Sequence, residues 1–218
     1  MIRGVIFDMD GLMFDSERAS MQLWEQELSK QGFVYTEAIG NQIRGRNGEG
    51  IRRVLEAAYG PTFDFTPVRN GVRTGLMRRI DEVGVDVKPG LYPLLDWLSA
   101  QGIPLAIASS SRRTSVERYC TAAGVLDKFT ALICGDQVTC SKPDPQIFYL
   151  AAETLGVSPA ECLVLEDSFN GVRAGAAGGF VTVMVPDMDQ PTPEIQALYT
   201  AKADDLNQVL AMLQAGQL

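Results

Sequence analysis

The sequence predicts an α/β protein, a doubly wound parallel sheet interrupted by one all-helical insertion. Three observations carry that reading. Short apolar runs recur along the chain and break off at polar residues, as in Val5-Ile6-Phe7 before Asp8. Such runs are continuous rather than alternating, as expected for strands buried on both faces of a parallel sheet. Between them lie apolar residues at helical spacing, giving a β-α-β-α rhythm from residue 88 onward. Residues 16–87 break the rhythm and contain helical patterns only.

Taken in order, Val5–Phe7 forms the first strand. The insertion then shows stripes at Met21, Trp24 and Leu28; at Ile51, Val54, Leu55 and Ala58; and at Val68, Val72, Leu76, Ile80 and Val83. Gly32 and Gly60-Pro61 punctuate these helices, and Lys88-Pro89-Gly90 marks the return. We therefore expect a core of residues 1–15 and 88–218 and a helical cap of residues 16–87; the alternative is extra helices packed on the same core. In the core, Leu91, Leu94, Leu95 and Leu98 form a helical stripe, followed by a strand at Leu105–Ala108 before Ser109. Val116, Tyr119, Cys120 and Ala123 form the next stripe. Strands follow at Ala131–Cys134, at Leu163–Leu165 before Glu166-Asp167, and at Val181–Val185. Leu206, Val209, Leu210 and Leu213 close the series.

Composition removes whole classes of function. The 218 residues include 19 Lys and Arg against 27 Asp and Glu, a net charge of −8. A non-specific grip on nucleic acid or on an anionic membrane is not expected from that balance, and an anionic substrate would need a local positive site or a metal. There is no His, so neither a Ser-His-Asp or Cys-His machine nor a His-ligated metal is possible. Chemistry must run on carboxylates, Lys, hydroxyls, thiols or a metal held by oxygen. Cys120, Cys134, Cys140 and Cys162 show no C-x-x-C pair and read as reduced thiols; Cys140, two residues before a Lys, is the one to watch for reactivity. The beginning of the chain does not read as a signal peptide and no run approaches the ~20 apolar residues of a membrane span, so the expected location is the cytoplasm.

Ligands of open α/β sheets bind at strand C-termini. Four polar clusters stand there: Asp8-Met9-Asp10-Gly11, Ser109-Ser110-Ser111, Ser141-Lys142-Pro143 and Glu166-Asp167-Ser168. Each alone has an ordinary explanation as a turn or a helix cap. Together they suit phosphate chemistry. Asp8 and Asp167 offer hard oxygens for Mg²⁺, completed by a backbone carbonyl and waters. Ser109 and Lys142 offer a donor and a positive charge to phosphate oxygens. Asp8 can attack phosphorus, and Asp10 can serve the leaving group as acid and water as base, while Glu166 orients Lys142 or a metal-bound water.

These segments resemble the four motifs of the haloacid dehalogenase-like superfamily: Gly4–Glu17, Ile107–Ser111, Ser141–Phe148 and Leu165–Val172, in order and with the spacing of its β-phosphoglucomutase-like branch. The resemblance implies a Rossmann-like core of strand order 5-4-1-2-3 with a helical cap inserted after the first motif. It implies that Asp8 is a nucleophile forming an aspartyl-phosphate and Asp10 a general acid/base. Asp8, the Asp10 main-chain carbonyl and Asp167 would bind Mg²⁺, with Glu166 behind them, and Ser109, Ser110 and Lys142 would bind phosphate. Asp10 also points to phosphate esters, because relatives that cleave carbon–halogen or carbon–phosphorus bonds lack an aspartate there.

The function implied is hydrolysis of a small phosphorylated metabolite (a sugar, polyol or nucleoside monophosphate) by a monomeric phosphatase. The first alternative is a phosphomutase; mutases of β-glucose 1-phosphate place a His near the position of Ser20. The second is a non-catalytic phosphometabolite-binding protein. Within the cap, Arg44, Arg46 and Asn47, together with Ser20, are the candidates to touch substrate. Met13, Phe14 and Trp24 read as packing, and Arg112 and Arg113 as surface charge beside the phosphate-binding serine.

Overall fold

A computed structural model of the chain describes residues 1–44, 46 and 48–218. The first strand, β1 (Gly4–Phe7), leads through a loop into four helices: α1 (Ser16–Ser29), α2 (Glu37–Ile43), α3 (Gly48–Tyr59) and α4 (Phe65–Val83). The chain then alternates through α5 (Leu91–Ala100), β2 (Leu105–Ser109), α6 (Arg113–Ala122), β3 (Ala131–Cys134), α7 (Gln146–Leu155), β4 (Cys162–Glu166), α8 (Phe169–Ala177) and β5 (Val181–Met184). It closes with α9 (Pro193–Gln196), β6 (Ala201–Lys202) and α10 (Leu206–Gln214).

All strand pairs are parallel, in the order β3-β2-β1-β4-β5-β6. Five strands therefore take the expected 5-4-1-2-3 order, read from the other edge. The sixth, only Ala201 and Lys202 beside β5, was not anticipated: two residues carry no apolar run, and their pairing depends on β5 being in place. β1 is central, with the chain passing outward to β2 and β3 and then back across to β4. That reversal opens a crevice at the C-terminal ends of β1, β2 and β4.

Successive strand side chains alternate between the sheet's two faces. Val5, Phe7, Ile107, Leu163 and Leu165 pack with Leu94 and Leu98 of α5, Val116 of α6 and Val209 of α10. Ile6, Ala106, Ala108 and Val164 pack on the other side with Ile147, Phe148 and Ala151 of α7 and Ala174 of α8. Both faces are covered, which is why the strands read as continuous apolar runs.

The helical block has a core of its own. Trp24 and Leu28 of α1, Ile43 of α2, Ile51 and Leu55 of α3, and Val68 and Val72 of α4 cluster with Phe63 and Phe65. Ile80, near the far end of α4, belongs instead to the sheet core. Helix α2 escaped the sequence pattern because seven residues with a central Gly40 are too few to show a stripe; Thr36 caps it, its side chain accepting from the Ile39 N–H. The two crossings between block and sheet run side by side. Phe14 pairs antiparallel with Val87, Asp15 N donates to Asp86 O at 2.8 Å, and Lys88 N donates to Met13 O at 2.9 Å. No helix among the described residues is long and apolar enough to cross a membrane. Cys120, Cys134 and Cys162 are buried free thiols, and Cys140 is a free, exposed one.

Candidate active site

Asp8 is the first residue past β1. Its backbone N–H donates to Leu165 O at 3.0 Å, which fixes it against the neighbouring end of β4. The loop after β3 brings in Lys142, whose Nζ donates to Asp8 Oδ1 at 2.6 Å, to Glu166 Oε1 at 2.6 Å and to Ala108 O at 3.0 Å. Its ammonium also lies 4.8 Å from the centre of the Phe148 ring. Asp8, Lys142 and Glu166 are all buried. The other Glu166 oxygen accepts from the N–H and the hydroxyl of Ser168. Of the two partners expected for Glu166, Lys142 is the one it contacts in this structure. Gly171 stands against this carboxylate, and a side chain there would collide with it.

Asp10, half-buried, is held differently. Ser16 Oγ donates to its Oδ1 at 2.6 Å; Ser111 Oγ and Ser109 Oγ donate to its Oδ2 at 2.8 and 3.3 Å. Ser109 is fully buried and also accepts from the Ser111 N–H, so the serines facing the cleft are Ser110 and Ser111. Ser16 and Ser111 were not singled out from the sequence, although Ser16 lies inside the first motif and Ser111 ends the second.

The electrostatics of the floor are lopsided. Asp8, Asp10, Glu166 and Asp167 gather around one cation, Lys142. Burial pushes Asp8 up to about 8; Lys142 pulls it down, while Glu166 and Asp10 push it further up. Asp167 is raised well above the ordinary carboxylate range, again by burial first and then by Glu166 and Asp8. Lys142 is raised, its two carboxylate partners outweighing its burial. Asp167 accepts no hydrogen bond from the described residues, and it packs so closely on Gly11 (φ 88°) that any side chain there would collide with its carboxylate. An excess of buried negative charge, with one carboxylate left without a protein donor, fits a divalent cation. No three acidic or thiol side chains converge on one point among the described residues. A cation here would therefore rely on main-chain or water oxygens as well as on the carboxylates, rather than on a cage of side chains.

The cleft above this floor holds about 120 Å³. Its roof comes from the helical block and includes Trp24, Tyr35, Arg44 and Arg69. Met13 and Phe14 are buried packing, as expected, while Trp24, stacked on Phe65 at 6.5 Å, also lines the cleft. Ser20 lines it too, but its hydroxyl donates to Glu17 O. Arg44 pairs with Asp189 at 3.5 Å and with Asn41, and Arg46 Nε donates to Gln42 O at 2.6 Å. Asn47 lies outside the described residues. Arg113 pairs with Glu117, as a surface helix residue would. Arg69 of α4 was missed; it follows the stripe residue Val68, and nothing in the pattern distinguishes it from an outward arginine.

Comparison with known proteins agrees with this architecture. A family model described as haloacid dehalogenase-like hydrolase matches residues 2–179. Hexitol phosphatase B of Escherichia coli (strain K12) is 30% identical over 220 residues, covering 96% of this chain and 95% of that protein. The bifunctional riboflavin kinase/FMN phosphatase of Arabidopsis thaliana is 37% identical over 210 residues, covering 94% of this chain and 53% of that protein. Among solved structures, β-phosphoglucomutase from Clostridium difficile superposes with a TM-score of 0.83 at 24% identity, covering 96% of this chain and 93% of the other, a likeness of fold.

Proposed function

Given that the chain belongs to the haloacid dehalogenase-like hydrolases and is a phosphoric monoester hydrolase, we propose that it releases phosphate from a small sugar, polyol or nucleoside monophosphate through a phosphorylated Asp8. The observation that carries the reading is the division of labour between two aspartates two residues apart. Asp8 is gripped through Oδ1 by Lys142, which leaves Oδ2, bonded to no described residue, as the attacking oxygen. Asp10 faces the same cleft but is held by hydroxyls, the setting of a group that must give and take a proton.

In the first half-reaction Asp8 Oδ2 bonds to phosphorus and the ester oxygen departs, taking its proton from Asp10. In the second, Asp10 takes a proton from water, the water oxygen bonds to phosphorus, and Asp8 is released as carboxylate. Lys142 and the Ser109–Ser111 segment meet the charge on the equatorial oxygens and hold the group in line. Asp8, Asp167 and the Asp10 carbonyl would hold Mg²⁺, which would supply neutralising charge to the phosphoryl oxygens and to the floor carboxylates. Residues 16–87 act as a cap hinged at the paired crossings near Phe14–Ser16 and Val87–Gly90, holding water off during attack.

The mutase alternative gains nothing from the roof. The Ser20 hydroxyl is spent on the Glu17 carbonyl and offers no titrating group to a sugar or to Asp10. The test is phosphate release from a panel of monophosphates with and without Mg²⁺, combined with acid-quench trapping of a phosphorylated peptide containing Asp8. We expect both signals in the wild type and neither in Asp8→Asn. Conversion of β-glucose 1-phosphate to glucose 6-phosphate faster than phosphate appears would replace the hydrolase with the mutase.

A further inference from the structure

The active-site cleft adjoins two further grooves, with which it shares lining residues. One groove, about 190 Å³, shares Glu17, Arg44, Arg46, Asp167 and Ser168 with it. The other, about 470 Å³, shares Asp10, Arg69, Leu76, Ser110 and Ser111. A substrate that reaches beyond the cleft has these two grooves to extend into, and their charges differ.

In the smaller groove Arg44, Arg46 and Arg173 meet four carboxylates, Glu17, Asp167, Asp187 and Asp189. Each of its arginines has a partner: Arg44 pairs with Asp189 through its terminal nitrogen while its Nε is buried without one, Arg173 pairs with Glu194, and Arg46 donates to the Gln42 carbonyl. The larger groove reverses the balance, with Arg52, Arg69, Arg73 and Arg112 against Asp10, Glu49 and Asp136. Here it is the acids that are occupied. Asp10 is held by three serines, Glu49 by Arg52 and Arg53, and Asp136 accepts from the Arg113 N–H. Arg69, Arg73 and Arg112 form no hydrogen bond or ion pair among the described residues.

Arg69 and Arg73 are one turn apart on α4, and Arg112 faces them from the start of α6. Arg69 is only partly exposed, and its guanidinium lies beside the start of α3. Burial and the charge of Arg112 hold it below the usual guanidinium range, with Asp10 pulling the other way. Three unpaired guanidiniums brought together in a chain of net charge −8 are costly unless an anion meets them.

We infer that Arg69, Arg73 and Arg112 receive a second acidic group, phosphate or carboxylate, at the end of the substrate away from the scissile phosphate. The preferred substrates are then bisphosphates or phosphorylated acids rather than neutral sugar or polyol phosphates. The inference rests on the phosphatase reading and names its substrate class.

Matched pairs test it: fructose 1,6-bisphosphate against fructose 6-phosphate, and gluconate 6-phosphate against glucose 6-phosphate. We expect kcat/KM to favour the acidic member by about tenfold or more, mostly through KM, as one charge-assisted contact would give. Arg69→Gln should bring that ratio to within about twofold, and Arg69→Lys should restore part of it. Preference in both pairs means a site for anionic oxygens in general; preference in the first alone means a phosphate site. A wild type that treats both members alike, or a preference that survives Arg69→Gln, overturns the inference while leaving the phosphatase standing. A binding arm stands apart from turnover. Fructose 1,6-bisphosphate should bind the Asp8→Asn protein about tenfold more tightly than Asp8→Asn/Arg69→Gln by calorimetry, and equal affinities would overturn the site even if no ester were hydrolysed.

Discussion

The floor of the cleft and its roof are built by opposite means. The polar groups of the floor end a strand of one parallel sheet or follow it within three residues, or, like Lys142, are clamped to two that do. Asp8, Ser109, Lys142 and Glu166 are buried and their partners fixed: Lys142 reaches Asp8, Glu166 and Ala108 at once. The roof is made of helix surfaces. Its arginines sit on α4 or just past α2, some paired and some free, and each reaches the cleft only because whole helices pack as they do. Such a floor can perform one chemistry on many molecules, while such a roof can choose among the molecules. Substitutions in the floor should therefore abolish turnover, and substitutions in the roof should redistribute it.

The largest effect belongs to Asp8→Asn. An amide is a poor nucleophile and a poor cation ligand, so turnover should fall at least ~10³-fold, about 4 kcal/mol of barrier, with the fold retained. Circular dichroism and a phosphate-release assay check this, and a variant keeping a tenth of the activity would remove Asp8 from its assigned role.

Lys142→Met should come next. The neutral side chain leaves Asp8 and Glu166 facing one another with no cation, and activity should drop by ~10²-fold or more. Stability should fall by about 3 kcal/mol, the scale of breaking a buried pair, at pH 8. At pH 5 the loss should be smaller, because raised carboxyls protonate and shed the conflict. Urea unfolding at the two pH values measures the difference; equal losses would mean that charge is not what Lys142 manages.

How much of this was legible in the sequence follows from the same contrast. Asp8, Asp10, Ser109, Glu166 and Asp167 could be read because each ends or closely follows an apolar strand, where local pattern and final position coincide; Lys142, in the loop between β3 and α7, stood out only through its motif. The block of residues 16–87 stood out by rhythm, and three of its four helices by their stripes. Helix α2 and strand β6 did not, being too short to carry a period. Arg69 did not because a helix-surface arginine looks the same whether it meets water or a cleft. Asp187 did not because its partners, Lys88 and Arg18, lie 99 and 169 residues away.

A third effect concerns pH and the cation. Asp8 is raised from its ordinary 3.8 to about 8 chiefly by burial, so the folded state holds a proton that the unfolded state releases. Stability of the cation-free protein should therefore decline as pH rises from about 4 to 8. Mg²⁺ needs the deprotonated carboxylate, and its stabilising effect should grow over the same interval. Thermal unfolding in EDTA and in Mg²⁺ at pH 5 and pH 8 reads both slopes. Ca²⁺ should stabilise too but inhibit turnover, since its larger, more flexible coordination can take both Asp8 oxygens and occupy the attacking one. A Mg²⁺ effect independent of pH would break the link between Asp8 and the metal.

The smallest effect lies where floor and roof are joined. Asp187, past β5, has a nearly buried side chain whose Oδ1 accepts from Lys88 Nζ at 2.5 Å and from Arg18 at 3.1 Å. Arg18 also holds Asp15. Lys88 and Asp15 lie on the two crossings into the helical block, so a single carboxylate of the sheet half ties both. Its Oδ2 is buried without a partner, a cost that persists only if the tie is worth more. Asp187→Asn keeps the shape and removes the charge. Lys88 and Arg18 retain some contact with solvent, which limits the penalty to about 1 kcal/mol. The more telling change is in the cap. With its anchor weakened, residues 16–87 should spend more time open, raising KM several-fold while kcat for bound substrate changes little. Hydrogen exchange should then quicken at residues 13–16 and 86–90 and remain unchanged in β1, β2 and β4. A loss confined to kcat would place Asp187 with the floor instead, acting through its neighbour Asp167 rather than through the hinge.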